Sequence, residues 1–404
     1  MSATLPVHFA KQDCRSVPGG FFSLPHESAP MTQNSGIPWY QTADVDEIDS
    51  PALVVFPERV LANVRTAKSM VGSASFLRPH AKTHKSLDVA RLQVAESITR
   101  FKCATIAEAE MLAQAGATDV LLAYQPVGPK VRRLRTLTQR YRQTSFACLV
   151  DDISVATVLA ESFAGESVPL RVFVDLNVGM NRTGIVPGDA AVKLYRASAG
   201  LKGIQLVGLH AYDGHIQDKD PQIRGQRCDE AFASVRAMHA ELVRSDVGSP
   251  LIVAGGSPTF PMHARHEGVE CSPGTFVYWD KSYLDGLPDQ RFVPAALLIT
   301  RVVSRPASHV LCLDLGHKSV AAEKDIHHRV SFLNAPDAEV LSQSEEHLSI
   351  RVPESSSFAI GDVLYGLPYH ICPTVALYER AVTVVNHRAT GEWRMVARDR
   401  VINV

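Results

Sequence analysis

The 404-residue chain predicts an α/β architecture, a TIM-like (β/α)8 barrel followed by a C-terminal all-β domain. Three observations carry that expectation. Short apolar runs alternate with amphipathic helical patterns from about residue 74 to 285. Beyond Pro294 the helical spacing gives way to short strands broken by turns. Titratable or glycine-rich residues recur where the apolar runs end, which is where a barrel keeps its reactive groups.

The runs are Phe76–Leu77, Phe101–Ala104, Val120–Tyr124, Phe146–Val150, Val172–Leu176, Leu206–His210, Leu251–Ala254 and Thr275–Tyr278. Between them, Thr105-Ile106-Ala107-Glu108 has the form of a capping box, with a stop at Gly116. Phe232, Val235, Met238 and Leu242 repeat the 3-4 spacing of a helix face. Periodicity by itself leaves a doubly wound sheet open. Residues 1–36, polar and rich in Ser, Pro and Gly, read as a disordered extension without the apolar core of a signal peptide, and Met31 is an alternative start. The barrel domain then takes residues 37–290 and the β domain residues 291–404, with a strand at about 50–56 placed to join the latter.

A formal charge of -1 gives no electrostatic case for nucleic acid or an anionic membrane, and no apolar run approaches a membrane span. Seven scattered cysteines suit a reduced, cytoplasmic protein better than a disulfide framework.

The first run ends in Arg78-Pro79-His80-Ala81-Lys82-Thr83-His84-Lys85. Crowding by positive charge lowers the proton affinity of a lysine and makes it a usable nucleophile. On an extended chain Arg78, His80 and Lys82 share a face, which points Lys82 into the mouth. A solvated basic turn is the plainer alternative. The fifth run ends in Asp175-Leu176-Asn177-Val178-Gly179-Met180-Asn181-Arg182-Thr183-Gly184, where Arg182 is suited to an oxygen anion. The sixth ends in His210-Ala211-Tyr212-Asp213. Gly255-Gly256-Ser257 and Gly274-Thr275 close the seventh and eighth, and Gly with hydroxyl residues at those loops is a common phosphate cradle. With an activated lysine, these point to pyridoxal phosphate. About 290 residues after His80, His370-Ile371-Cys372 pairs an imidazole and a thiol, leaving the same side if the chain is extended. The pair suits a divalent metal, zinc first, although an isolated H-x-C is more often structural.

Taken together, Arg78–Lys85, the Asp-x-x-x-Gly-x-x-Arg-x-Gly element at 175–184, the Gly-Gly-x-x-Thr turn and the terminal His-x-Cys-Pro-Thr resemble the D-threonine aldolase and D-serine dehydratase family, fold-type III pyridoxal phosphate enzymes with an alanine-racemase-like barrel. The resemblance runs in order from about residue 45 to 400. It implies that Lys82 carries the Schiff base and that Arg182 lies near the ring's phenolic oxygen. Gly255, Gly256, Ser257, Gly274 and Thr275 would hold the phosphate, and Tyr212 would face the ring. His370 and Cys372 would bind a divalent metal, zinc, manganese or magnesium. It implies a homodimer acting on a small D-amino acid, with His80, His84 or a metal-bound water as base. Bacterial D-threonine aldolases carry His-x-Asp at the metal position, whereas D-serine dehydratases carry His-x-Cys. Retro-aldol cleavage of a D-threonine-like substrate and β-elimination from D-serine or a 3-hydroxy-D-aspartate both remain open. A racemase, or a non-catalytic cofactor carrier, accounts less well for the metal pair and the β domain.

Overall fold

The seam of the barrel lies at Leu77–His80. A computed structural model describes residues 36–245 and 248–404, so nearly all of the expected extension falls outside the described residues. Tyr40–Val404 form one unit; Gly36–Trp39, outside it, consist of bend and turn. That unit opens with β1 (Ala52–Val55), α1 (Pro57–Val71) and α2 (Leu87–Ala95). Strands and helices then alternate: β2 (Arg100–Cys103), α3 (Ile106–Gln114), β3 (Asp119–Leu122), α4 (Pro129–Arg140), β4 (Ser145–Val150), α5 (Ile153–Phe163), β5 (Leu170–Leu176) and α6 (Asp189–Ala199). The series continues through β6 (Ile204–Ala211), α7 (Pro221–Arg244), β7 (Leu251–Ala254), α8 (Phe260–His263), β8 (Val269–Cys271) and α9 (Lys281–Gly286).

Strands β2 to β8 pair in sequence order as a parallel seven-stranded sheet. Leu77–His80 occupies the eighth place: Leu77 bridges Cys271 on β8, and His80 bridges Lys102 on β2. The N–H of Arg78 donates to Cys271 O (2.8 Å), that of His80 to Pro273 O (2.9 Å), and that of Lys102 to Pro79 O (2.8 Å). Pro79 has no N–H, but this seam asks only for its carbonyl. The barrel is closed by hydrogen bonds rather than by a regular strand.

Sequence periodicity located the eighth strand too late. Strand β8 ends at Cys271; Ser272, Pro273 and Gly274 follow it, and Thr275–Val277 forms a 3-10 turn. Its apolarity has another cause: Phe276, Val277 and Tyr278 are buried in the layer around α1, where Asn63 Nδ2 donates to Val293 O (2.8 Å). The helix signals are realised more directly. Thr105 Oγ1 accepts from Glu108 N (3.0 Å), and Glu108 Oε2 accepts from Ala104 N (2.6 Å), one residue outside the ideal capping box. Asp220 caps α7 through the N–H of Gln222, with Pro221 in the first turn.

Inside the barrel, Leu121, Ala147, Leu149, Phe173 and Val253 pack on one another. Below them the lumen is filled with charge. Arg78, fully buried, donates to Glu270 Oε2 and Asp119 Oδ1, each at 2.6 Å. Arg171 reaches the other oxygen of Asp119 (2.6 Å), and Arg100 pairs with the other oxygen of Glu270. Arg100 and Asp119 begin β2 and β3, so this lattice forms the floor at the N-terminal ends of the strands.

The remaining elements are β9 (Ala296–Ala307), β10 (Val310–Leu313), β11 (Val330–Phe332), β12 (Glu339–Gln343), β13 (Leu348–Arg351), β14 (Val363–Pro368), α10 (Ile371–Leu377), β15 (Arg380–Val385) and β16 (Arg388–Arg394). They form a nine-stranded sheet in which β1 pairs antiparallel with β9 and parallel with β15. The start and end of the unit are thus stitched through one sheet.

Removing Arg78 takes away the one fully buried cation of the floor and leaves Asp119 and Glu270 with only the partly exposed Arg171 and Arg100. Arg78→Ala should lower the unfolding free energy by about 3 kcal/mol or more, as a urea titration would read. A loss within experimental error would mean that water or the neighbouring arginines compensate the floor.

Candidate active site

At the opposite end of the barrel the lattice of opposite charges gives way to amines and imidazoles. Lys82 lies in the 3-10 turn Ala81–Thr83, which is capped by the side chain of His80 before it: Lys82 N donates to His80 Nδ1 (3.2 Å). The chain is therefore extended only through His80. Arg78 belongs to the floor and Lys82 to the mouth, so the expected common face for the two does not exist. Lys85, three residues on, forms an ion pair with the buried Glu108. Burial, together with the charges of Lys102 and Lys82, pushes the His80 imidazole well below its ordinary range. Burial takes His84 down to about 3; its Nδ1 accepts from Ser86 N (3.1 Å) and its Nε2 has no partner. His84 is a neutral, buried turn residue.

Lys102 projects from β2 into the lumen beside this turn and is 2 % exposed. Its Nζ donates to Ser272 Oγ (2.5 Å) and lies 3.4 Å from His210 Nε2. It also stands 5.5 Å from the centre of the Tyr212 ring, and Arg182 stands 4.9 Å from that centre. His210 Nδ1 is 2.7 Å from Asp175 Oδ1, its register neighbour across β5 and β6. Hydrogen bonding and charge from His210 hold Asp175 below the usual carboxylate range despite its burial.

The glycine turns meet next to Lys82. Ser257 Oγ accepts from the N–H groups of Gly274 (3.3 Å) and Thr275 (3.1 Å). A Cβ on Gly274 would approach His80 Cβ and O at 3.2 Å. Gly255 has φ +77°, and a Cβ there would meet His263 Cδ2 at 2.6 Å. Behind this turn, Asp213 Oδ1 accepts from Thr259 Oγ1 and its Oδ2 from His263 Nε2, both at 2.7 Å, while Thr259 Oγ1 accepts from Gly256 N (3.3 Å). Cys228 Sγ lies 3.4 Å from His263 Nε2, which completes a buried Asp–Cys–His group. The 2.7 Å contact is hydrogen-bond length, and the group is a prop under the turn. Backbone donors, a hydroxyl and no Cβ suit a phosphate, and Arg182 over Tyr212 suits the edge of an aromatic ring bearing an oxygen anion. The residues fit pyridoxal phosphate.

His370 and Cys372 do not lie on one strand. His370 is the N-cap of α10, and Cys372 sits in its first turn, because β14 ends at Pro368. The two side chains hydrogen-bond to each other nonetheless. Cys372 Sγ reaches Thr83 Oγ1 (3.1 Å) and Thr275 Oγ1 (3.5 Å) within the same chain. His370 Nδ1 contacts Glu323 Oε1 (2.5 Å), and Asp280 Oδ2 accepts from Ile371 N (3.1 Å). Burial raises the Cys372 thiol, but the His370 hydrogen bond and the Lys82 charge outweigh it and leave it below its ordinary value. Thiol, imidazole and a nearby carboxylate are a donor set for a borderline-soft divalent metal.

Residues 57–282, more than half of the chain, match the family model described as alanine racemase, N-terminal domain. The chain belongs to that family. Residues 295–384 match the putative serine dehydratase domain. A D-threonine aldolase from Arthrobacter sp is 28% identical over 361 residues, 87% of this chain and 93% of that protein. A 3-hydroxy-D-aspartate aldolase from Paracoccus denitrificans is 25% identical over 379 residues, 90% of this chain and 96% of its own length. The crystal structure of D-threonine aldolase from Filomicrobium marinum superposes with a TM-score of 0.81 at 27% identity, covering 87% of this chain and 96% of the other. These relatives are lyases by reaction class, and this member of the alanine racemase N-terminal domain family is an enzyme of that class.

Lys102, Glu323 and Asp280 escaped the reading of the sequence, and Ser272, read with Gly274 and Thr275 as part of a phosphate cradle, instead accepts from Lys102. Lys102 left one trace: with Arg100 it occupies alternate positions of β2, the inward face of a strand whose other residues are apolar. Glu323 and Asp280 left none, because chain contacts of 47 and 91 residues' separation bring them to His370 and Ile371.

Asp213→Ala should strip Thr259 and His263 of their acceptor. A loss of about 2 kcal/mol or more in urea unfolding is expected, with weaker pyridoxal phosphate retention on dialysis. Unchanged retention would show that the turn holds its shape without the prop.

Proposed function

We propose that this protein is a pyridoxal phosphate- and divalent-metal-dependent lyase acting on D-β-hydroxy-α-amino acids, with retro-aldol cleavage of D-threonine-like substrates to glycine and an aldehyde as its reaction. One observation carries the reading. Cys372 Sγ lies 3.1 Å from Thr83 Oγ1, next in sequence to Lys82, so the thiol–imidazole pair and the lysine turn converge on one mouth. A racemase or a plain cofactor carrier has no use for that convergence.

When bound, pyridoxal phosphate would supply an electron sink and the metal a Lewis acid for the β-hydroxyl of the substrate. Lys82 would hold the aldehyde of the cofactor, while Gly255, Gly256, Ser257, Gly274 and Thr275 would hold its phosphate. Arg182 would balance negative charge at the ring edge, and Tyr212 packs against both Arg182 and Lys102. His370 and Cys372 hold the metal, for which zinc suits thiolate and imidazole best, with manganese next and magnesium, which prefers oxygen, last. Glu323 fixes the His370 ring. Of the two histidines offered as bases, His80 faces Lys82 and Lys102, whereas His84 is tied to its own turn. The described cysteines are all unpaired, and among the described residues no helix is long and apolar enough to cross a membrane, which suits a cytoplasmic protein.

A second reading keeps the same parts. His-x-Cys, together with the match to the putative serine dehydratase domain, favours β-elimination from D-serine or 3-hydroxy-D-aspartate. Incubation with D-threonine, D-serine and 3-hydroxy-D-aspartate separates the two: acetaldehyde and glycine mark cleavage, whereas pyruvate, oxobutyrate or oxaloacetate with ammonia marks elimination.

Lys82→Ala should abolish the visible absorbance band of the loaded enzyme and its capture by borohydride. A reduced peptide carrying the label at Lys85 would overturn the assignment. His370→Ala or Cys372→Ala should keep the band but lose at least about 100-fold in turnover, as should the wild type after chelation, with recovery on adding zinc or manganese. Turnover that survives exhaustive chelation removes the metal from the mechanism. The protein is also expected to be a homodimer in light scattering, on the strength of the family resemblance. Because Cys372 reaches Thr83 within one chain, the dimer is not needed to deliver the metal pair. An active monomer would refute the dimer and leave the rest standing.

A further inference from the structure

The mouth holds two lysines, and only one has been given a task. Lys102 is buried without a carboxylate in contact: its partners are the Ser272 hydroxyl and the His210 imidazole. Ser272 Oγ already donates to Gly255 O (2.9 Å), so toward Lys102 it accepts. His210 Nδ1 faces the ionised Asp175 and therefore carries the ring proton, which leaves Nε2 as an acceptor directed at Lys102. Carboxylate, imidazole and amine thus stand in line across the lumen from β5 through β6 to β2. The line has the same logic as a nucleophile–imidazole–carboxylate triad, with a primary amine in the nucleophile's place.

From this alignment we infer that Asp175, His210 and Lys102 form a proton relay that makes Lys102 the second working amine of the site, a base that takes and returns the proton moved during turnover. The inference rests on the cofactor reading of Lys82 given above. In the resting relay Lys102 is an ammonium. An N–H bond of that ammonium breaks as one forms at His210 Nε2, and Asp175 balances the imidazolium. The freed amine then takes one proton from the bound amino acid and gives it back to the product side, and the proton on His210 Nε2 returns to Lys102, so no oxidant or reductant is needed and the relay ends as it began.

The groups that face Lys102 are Lys82 and His80 from the seam turn, Asp175, His210 and Asp213 from β5, β6 and the loop after it, and Arg182 from the loop after β5. Burial and the Lys82 charge bring Lys102 down to about 7, against the opposing pull of Asp175 and Asp213. Burial and Lys102 itself lower His210, opposed by its hydrogen bond to Asp175. Neutral amine is therefore available at neutral pH without help from a metal.

The test uses holoenzyme carrying Lys102→Arg, which keeps a permanent charge, Lys102→Met, which removes the amine, and His210→Gln, which breaks the relay and leaves Lys102. Three things are measured: the peptide labelled by borohydride, the cofactor absorbance as a function of pH, and kcat. Wild type should show an absorbance inflection near pH 7, absent in both Lys102 variants and displaced in His210→Gln. All three variants should still be labelled at Lys82. Turnover should fall by about 100-fold or more in Lys102→Met, and Lys102→Arg should fail to rescue it. Turnover of Lys102→Arg within a few-fold of wild type, or an inflection that persists in Lys102→Met, overturns the relay while leaving the Lys82 reading intact. A label found on any lysine but Lys82 in the wild type overturns that reading, and the relay with it.

Discussion

Three backbone hydrogen bonds at Leu77–His80 hold this enzyme together as a barrel and also aim its chemistry. A parallel sheet closes only when its first and last strands meet, and here the meeting is made by four extended residues rather than a full strand. The short seam has a consequence that a longer strand would lack. Chain that stops being extended at His80 can turn at once, and the capped 3-10 turn that follows lifts Lys82 to the rim directly beside β2 and β8. Lys102, Ser272 and Gly274 come from those two flanks. The register that closes the barrel is the register that assembles the site.

The lumen has two electrostatic regimes stacked on one axis. At the floor, three arginines share two carboxylates, so each buried charge has a partner and the arrangement is structural. At the mouth, Lys82, Lys102, His80 and His210 crowd together with Asp175 spent on His210. A surplus of cationic groups is costly in a buried place unless an anion is bound or protons are released. Here both remedies are at hand: a cradle shaped for a phosphate, and the Lys102 amine and two imidazoles displaced toward their neutral forms.

Much of the architecture was legible because alternation of apolar runs with helical periodicity is a long-range pattern that survives local irregularity. The eighth strand was misplaced for a physical reason: Phe276, Val277 and Tyr278 are apolar because they are buried against α1, and burial without alternation cannot distinguish a strand from a turn. At the site, residues clustered in sequence, such as Arg78–Lys85 and Gly255–Ser257, announced themselves. The extended-chain geometry inferred for His370 and Cys372 failed, since a helix begins between them. Residues joined only by the fold were silent. Asp280 and Glu323 have ordinary neighbours in sequence and meet the thiol–imidazole pair only in three dimensions.

The buried salt-bridge lattice beneath Phe173 has a bearing on kinetics. A tube plugged at one end by the buried Arg78–Glu270 pair and its neighbours offers no drain, so whatever enters at the rim must leave at the rim. For a reaction that splits one molecule into two, the fragments queue at a single portal. Entry and exit through one opening are then a property of the barrel's anatomy rather than of its chemistry.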